Sequence, residues 1–551
     1  MKRLIALIAV LLLFAGQSFG ATAYFYPSAG SDWTGANWFA ATNGGGGAVA
    51  VPDSTVDVIL DGNSGVTVVV DGAAKCKSIT CTGFLGDLKF NAQLKVSGNI
   101  TFVNTMSMSG TLGSLVVDAA GTLNSGGVTV AIPVPMTFTQ IAPTTYTLAS
   151  DWNVDGLLTF DVPTGTTPMT LAGAYSIYAG GGLYRSGAVS GNVASAANAV
   201  TVRLNGTGTV DATGGSRYFS VNLSIEAAAN TVTWTALHFS TRTLTYTSGV
   251  MAGAKALSVF GGTYDTGGMT WGAITQVASA QTQTLLSNLN CTSYSHAGNQ
   301  NEVYNGFSVV VSGGFTSSAP ITSGTSIWRF TGGTALMATA GSVIKNPVTL
   351  AGDVTIGSRF GKQDSAITYE SGNITTTGSR LVLYGNTRLN TAGVTWDDVT
   401  IMSAGADTLT SEFAVAGICS VLANVEFRGS AGWVVDSLYV EKATTTILKS
   451  GVLYRVLSDI RMAGATGADS CFIRSSVADS RAMLRLLRNT TQTVTFVNAL
   501  DIDSRGGRGV YAANGTLDNA LNWSVSRLPA AMIEEYGTYG WGGVPWSASE
   551  R

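Results

Sequence analysis

The strongest constraint on how this chain can fold is an internal duplication. The stretch "LTYTSG" (244–249) matches "ITYESG" (367–372), and "LSVFGGTYDTGGMTWGAIT" (257–275) matches "LVLYGNTRLNTAGVTWDDVT" (381–400) with one residue inserted. Upstream, "VRLNG" (202–206) parallels "WRFTG" (328–332), and Ala212-Thr213 parallels Ala338-Thr339. Downstream, Cys291 and Cys419 fall in comparable places. The offset drifts only from 123 positions at Leu244/Ile367 to 128 at Cys291/Cys419, so one copy spans about 200–291 and the other about 326–419. A weaker version of the pattern covers roughly 114–175.

Each copy consists of short alternating segments ended by Gly, Asn or Asp. "VTVVVDG" (66–72), "LKVSGNITF" (94–102), "FSVVVSGG" (307–314) and "RLVLYGNTRL" (380–389) alternate aliphatic or aromatic residues with small polar ones. That is the period of a half-buried strand. The one stretch with helical character, "SRAMLRLLRN" (480–489), also reads better as a strand. Hairpin turns of the Asn-Gly kind do not recur between the strands. A coiled solenoid lengthens by duplication without disturbing its neighbours, and the turn spacing suits the corners of a coil. The expected fold is therefore all-β, a right-handed parallel β-helix with terminal caps. Coils of roughly 20 to 25 residues, stacked about 4.8 Å apart, would number about 20. Tandem β-sandwich domains of about 125 residues are the alternative that the repeat allows, although no linker separates the copies.

Composition narrows the setting. Charged residues make up 11% of the chain, well under the usual quarter, and the net charge is −3. No basic surface is thus expected, and nucleic acid is not an expected partner. The opening "MKRLIALIAVLLLFAGQSFG" sets Lys2 and Arg3 before an apolar run, Leu4 to Ala15, and then small residues. This reads as an export signal ending near residue 23, too short to span a bilayer. The expected location is secreted or cell-surface, with no later transmembrane segment. Five cysteines and two histidines are too few for a disulfide scaffold or Cys/His zinc spacing. No metal and no cofactor is expected.

An exposed first or last coil needs covering, and tryptophans lie at both ends. "DWTGANW" (32–38) carries Trp33 and Trp38, and "LNW" (521–523) ends at Trp523. These three are expected cap residues rather than sugar platforms. The organisation reads as a signal peptide (1–23), an N-terminal cap (24–65), a β-helix (66–503), and a C-terminal cap and tail (504–551). The opening W-x4-W, the segment "CKSITCTGFLG" (76–86) and the closing "DSRGGRGVYAANGTLDNALNW" (503–523) resemble glycine-rich β-solenoid proteins of bacterial and phage genomes. Those are surface or tail-associated proteins of unknown function. The resemblance implies the architecture and carries no functional residue; an export signal is a departure from the phage versions.

Candidate sites are few. Asp501 and Asp503, two apart on a strand, would share a face as the carboxylate pair that glycoside hydrolysis requires, with Arg505 and Arg508 nearby. Asp397 and Asp398 are adjacent and diverge if extended. Trp271 and Trp396 hold equivalent repeat positions, as do Tyr246 and Tyr369. They form either a sugar-stacking face or an inward aromatic ladder, the latter favoured. His238 alternates with apolar neighbours as a strand residue. "SYSHAGNQNEVY" (293–304) reads as a polar loop in which Tyr294, Asn299, Asn301, Glu302 and Tyr304 form a ligand-binding set, or a plain solvated loop. The expected function is a non-catalytic secreted structural or adhesin-like solenoid displaying surface loops, with surface glycans or self-association as partners. The alternatives are a carbohydrate-active β-helix enzyme, a polysaccharide lyase or glycoside hydrolase, and a phage tail-like or glycan-binding rod.

Overall fold

The computed structural model describes residues 21–526, apart from 28–30, 66, 127–130, 164–167, 188–191, 197–199, 213–216, 236–238, 254, 260, 277–281, 298–301, 323–324 and 338–341. The export-signal core, His238, Asn299, Asn301, Thr213, Ala338-Thr339 and the tail beyond 526 lie outside the described residues. The chain is nearly all β, wound as a parallel β-solenoid of about 20 turns. Sandwich domains are thereby set aside. The chain divides into two compact units, one ending at Gly267 and the other starting at Gly268, a division inside the first repeat copy that the sequence reading does not contain.

Within the first unit, the ladder shows why the alternation folds this way. Ala74 pairs with Leu94, Leu94 with Leu115, Leu115 with Met136, and Met136 with Leu158, all in parallel register. The column continues through Leu183 and Val210 to Trp234. Each of these side chains is buried. Every coil thus places an apolar residue directly over the last, and the period-two pattern sends its neighbours outward. Aromatics stack in the same way: the Phe138 and Phe160 rings lie 5.3 Å apart at 12°, and Phe219 follows at 5.4 Å.

The second unit repeats the device with Trp328, Val348, Ile367, Leu389 and Leu409 in one column. Residues 480–489 form the strand Ala482–Leu486, as the sequence indicates. All five cysteines are buried free thiols. Burial pushes the thiols of Cys291 and Cys419 up to about 12, so they serve as small apolar filling.

The ladder is longer than the 66–503 span. Thr22–Phe25 pairs with Asp57–Asp61, which pairs with Ser78–Thr82, so stacking starts ahead of residue 66. At the other end Thr516–Asp518 still pairs with Val497–Leu500.

The duplication has a local signature. The Tyr246 hydroxyl donates to the Gly249 carbonyl at 2.5 Å, and Tyr369 donates to Gly372 at 2.9 Å. Both glycines hold positive φ, 117° and 90°. At Gly372 a β-carbon would also fall 2.2 Å from the Gly352 carbonyl carbon, so only glycine fits. Tyr369→Phe is expected to cost about 0.5–1.5 kcal/mol, the net value of one hydrogen bond. Amide exchange at the 369–372 turn should quicken while the rest of the chain keeps its protection.

Candidate functional site

The described residues of the 293–304 segment lie in and beside strands, with the aromatic and ionisable side chains buried. Tyr294 and His296 end the strand Leu289–His296 on its inward phase, and Glu302–Val303 forms the next strand. Tyr294, His296, Glu302 and Tyr304 are all at most 5% exposed. Parallel register stacks Gln276, His296 and Ser317 in one column and sets Gln283 beside Glu302 in another. The interior of these coils is therefore polar.

These side chains bond mainly to one another, with Glu302 Oε2 left without a hydrogen bond among the described residues. Gln276 Nε2 donates to Glu302 Oε1 at 2.8 Å, and the Tyr294 hydroxyl donates to Gln276 Oε1 at 2.7 Å. The Tyr304 hydroxyl lies 3.1 Å from that of Tyr294. His296 bridges Glu302 Oε1 at 2.9 Å through Nε2 and Ser317 Oγ at 3.1 Å through Nδ1. Burial, and then the charge of Glu302, raises both phenols well above their ordinary range, so they stay protonated donors. The Trp328 ring closes one side, 5.1 Å from Tyr294.

Ser, His and Glu in contact are the ingredients of a nucleophilic triad. Here the Ser317 hydroxyl donates instead to the Ala319 carbonyl at 2.7 Å, so its proton is not directed at the imidazole. All three side chains are buried. The cluster thus brings Tyr294 and Glu302 together, as the sequence suggested, but as an interior bonding network and not as an open binding loop. Gln276, Gln283 and Ser317 were not singled out. Their signal was available: Ile274-x-Gln276, Tyr294-x-His296 and Phe315-x-Ser317 repeat an apolar-x-polar pattern at coil spacing.

Trp271 and Trp396 are fully buried, which excludes a sugar-stacking face and leaves the inward ladder. Eight of the nine tryptophans among the described residues are under 2% exposed, and Trp523 is 9% exposed. Trp33 and Trp38 lie in edge-to-face contact at 4.7 Å, with Trp38 Nε1 donating to the Trp33 carbonyl at 2.7 Å. They sit at the amino-terminal end of the ladder, where Trp38–Phe39 pairs antiparallel with Thr22–Phe25. Trp523 Nε1 donates to Ser504 Oγ at 2.8 Å.

The carboxylate pair also dissolves. Asp501 has a φ of 56°, which interrupts the strand between Val497–Leu500 and Ile502–Asp503, so the two-residue rule for a shared face fails. Asp501 is buried and accepts from the Asp479 amide at 3.1 Å and from Asn519. Asp503 is held by Arg505 at 2.8 Å; burial raises its carboxyl, but the Arg505 hydrogen bonds outweigh that and bring it below the usual range. Each carboxylate is occupied in its own turn. Among the described residues no group of three or more His, Cys, Asp or Glu is placed to hold a metal, and no helix is long and apolar enough to cross a membrane.

The outer face of the first unit carries a shallow polar depression around Arg203 and Glu226. These two form an ion pair with side chains 33% and 26% exposed. Arg203 Nε also donates to Ser176 Oγ at 2.9 Å, and its guanidinium lies 5.8 Å from the Tyr178 ring centre. Ser224 donates to Glu226 Oε1 at 2.6 Å from the floor. The groove, about 340 Å³, is lined by Arg203, Ser224 and Glu226 together with Thr201, Asn222 and Thr245. Alternation does not set Glu226 apart, since it faces outward between buried Ile225 and Ala227, and its partner Arg203 is a coil away in the sequence. Compared with known proteins, the chain matches no family model, no curated protein and no solved structure.

Proposed function

We propose that this chain is an exported, non-catalytic β-solenoid that serves as a structural, adhesin-like element of a cell surface or extracellular matrix. The observation that carries this reading is where its reactive chemistry lies. The tryptophans among the described residues and the His296–Glu302–Ser317 cluster are spent inside the coils. Main-chain ladders and stacked interiors give a stiff scaffold, while the outer faces carry Thr, Ser and Asn. The basic-then-apolar opening of the sequence supports export, and the resemblance to surface-associated glycine-rich solenoids agrees with it. A glycoside hydrolase needs two carboxyl groups flanking the bond, whereas Glu226 is the sole acidic residue lining the groove.

Two measurements test the reading. Fractionation of producing cells with amino-terminal sequencing should find a chain shortened by about 20 residues in the surface or medium fraction; a full-length cytosolic chain would overturn export. Incubation with a panel of polysaccharides should release no reducing ends. Release that disappears in Glu226→Gln would establish an enzyme instead.

A further inference from the structure

We propose that the groove around Arg203 and Glu226 binds a neutral, linear oligosaccharide lying along the direction of coil stacking. The argument starts from hydrogen-bond inventory. Arginine only donates, carboxylate only accepts, and a sugar hydroxyl does both. A fixed donor beside a fixed acceptor therefore complements two neighbouring hydroxyls of one sugar ring. Arg203 is held by Ser176, Tyr178 and Glu226, so little freedom remains to be lost on binding. Its Nη2 and the Glu226 Oε2 have no hydrogen-bond partner among the described residues. The pair is neutral overall, so an anionic ligand would have to displace Glu226 while a neutral one would not.

The surroundings set the ligand's shape. Ser176, Thr201, Asn222 and Thr243 stand in one parallel column, and Tyr178, Arg203, Ser224 and Thr245 in the next. Successive strands are about 4.8 Å apart, a step comparable to one hexose of an extended chain. A linear glycan would thus meet a polar group at each coil. The partner strand inserts Thr247 as a bulge beside Glu226, where the pairing shifts from Tyr246 to Ser248, and two residues after Glu226 Ala228 holds a φ of 37°. Bulges re-aim side chains, and strained non-glycine residues concentrate at working sites. A half-exposed ion pair contributes too little to offset such a distortion. Meeting the glycan outside the cell rests on the export reading above; the binding itself does not.

The test is calorimetric titration of the purified chain with cellohexaose, xylohexaose, laminarihexaose and mannohexaose, with hexagalacturonate as the anionic probe. Binding of at least one neutral hexasaccharide is expected, weakened tenfold or more in Arg203→Ala and in Glu226→Ala and unchanged in Arg505→Ala. Thr245→Val, which alters only the groove wall, should weaken it as well and guards against misfolding of the other two. No binding by any neutral probe, preference for hexagalacturonate, or affinity indifferent to all three groove variants would each overturn the site. The structural reading would survive those results, because fractionation and polysaccharide cleavage test it separately.

Discussion

Glu302→Ala is expected to destabilise the coils from Gln276 to Ser317 by about 3–5 kcal/mol, the usual consequence of removing one member of a buried pair. The loss is large because one oxygen serves two donors. Without Glu302 Oε1, both His296 Nε2 and Gln276 Nε2 lose their acceptor in a fully buried layer, and an unsatisfied buried donor retains its whole desolvation cost. Glu302→Gln keeps an acceptor oxygen in place and should lose far less. A long stack of coils does not unfold in one step, since each coil contacts only its neighbours. The suitable measurement is therefore native-state amide exchange, followed in the strands Leu289–His296 and Phe315–Ser317. Protection there should fall in Glu302→Ala by several orders of magnitude, with strands far along the chain unaffected. Wild-type protection in those strands would show that the cluster contributes nothing to cohesion.

The architecture was legible because it depends on a signal that survives local error. Alternation in "RLVLYGNTRL" is enough to make the strand Arg380–Asn390, and duplication is enough to choose a stack over isolated domains. The equivalence of Tyr246 and Tyr369 even extended to a shared hydrogen bond. What escaped was the phase of a strand across a break. Asp501 and Asp503 look like face-sharing neighbours until the positive φ at Asp501 turns the chain. Glu226 is one more outward residue by alternation, and only the parallel register that sets Arg203 beside Ser224 brings it to Arg203. Inward polar residues fail differently. Hydropathy treats "SYSHAGNQNEVY" as a loop, because polarity usually means solvent, whereas Tyr294, His296 and Glu302 bond inside the coil. Only the recurrence of an apolar-x-polar pair at coil spacing distinguishes the two cases.

A second interior feature predicts an unusual dependence of stability on pH. Asp407 is buried and its carboxyl is raised from 3.8 to about 7 by burial, only partly countered by the Thr387 amide at 3.0 Å. Lys362 is buried and its amine is lowered from 10.5 to about 7, again chiefly by burial. Its nitrogen is surrounded by acceptors, with the carbonyls of Ile344, Gln363 and Asp364 and Ser365 Oγ all within 3.2 Å. The two groups act in opposite pH windows. Between 3.8 and about 7 the unfolded chain has released the Asp407 proton while the folded chain keeps it, so stability falls as pH rises. Between about 7 and 10.5 the unfolded chain still holds the Lys362 proton that the folded chain has released, so stability rises again. Their joint contribution is least near neutrality. Asp407→Asn imitates the protonated acid and keeps the acceptor for Thr387. It should leave stability at pH 4 nearly unchanged and raise it above pH 7 by up to about 4 kcal/mol, from about three pKa units at 1.36 kcal/mol each. Native-state amide exchange in the strands Arg380–Asn390 and Gly405–Leu409, corrected for the intrinsic pH dependence of exchange and followed in wild type and Asp407→Asn across pH 4 to 10, would check this. The variant's curve should lose the fall between pH 4 and 7 and keep the rise above it, because that rise belongs to Lys362. Parallel curves for the two proteins would mean that Asp407 is already ionised in the folded chain at neutral pH, and the buried carboxyl would then need a cation to face it.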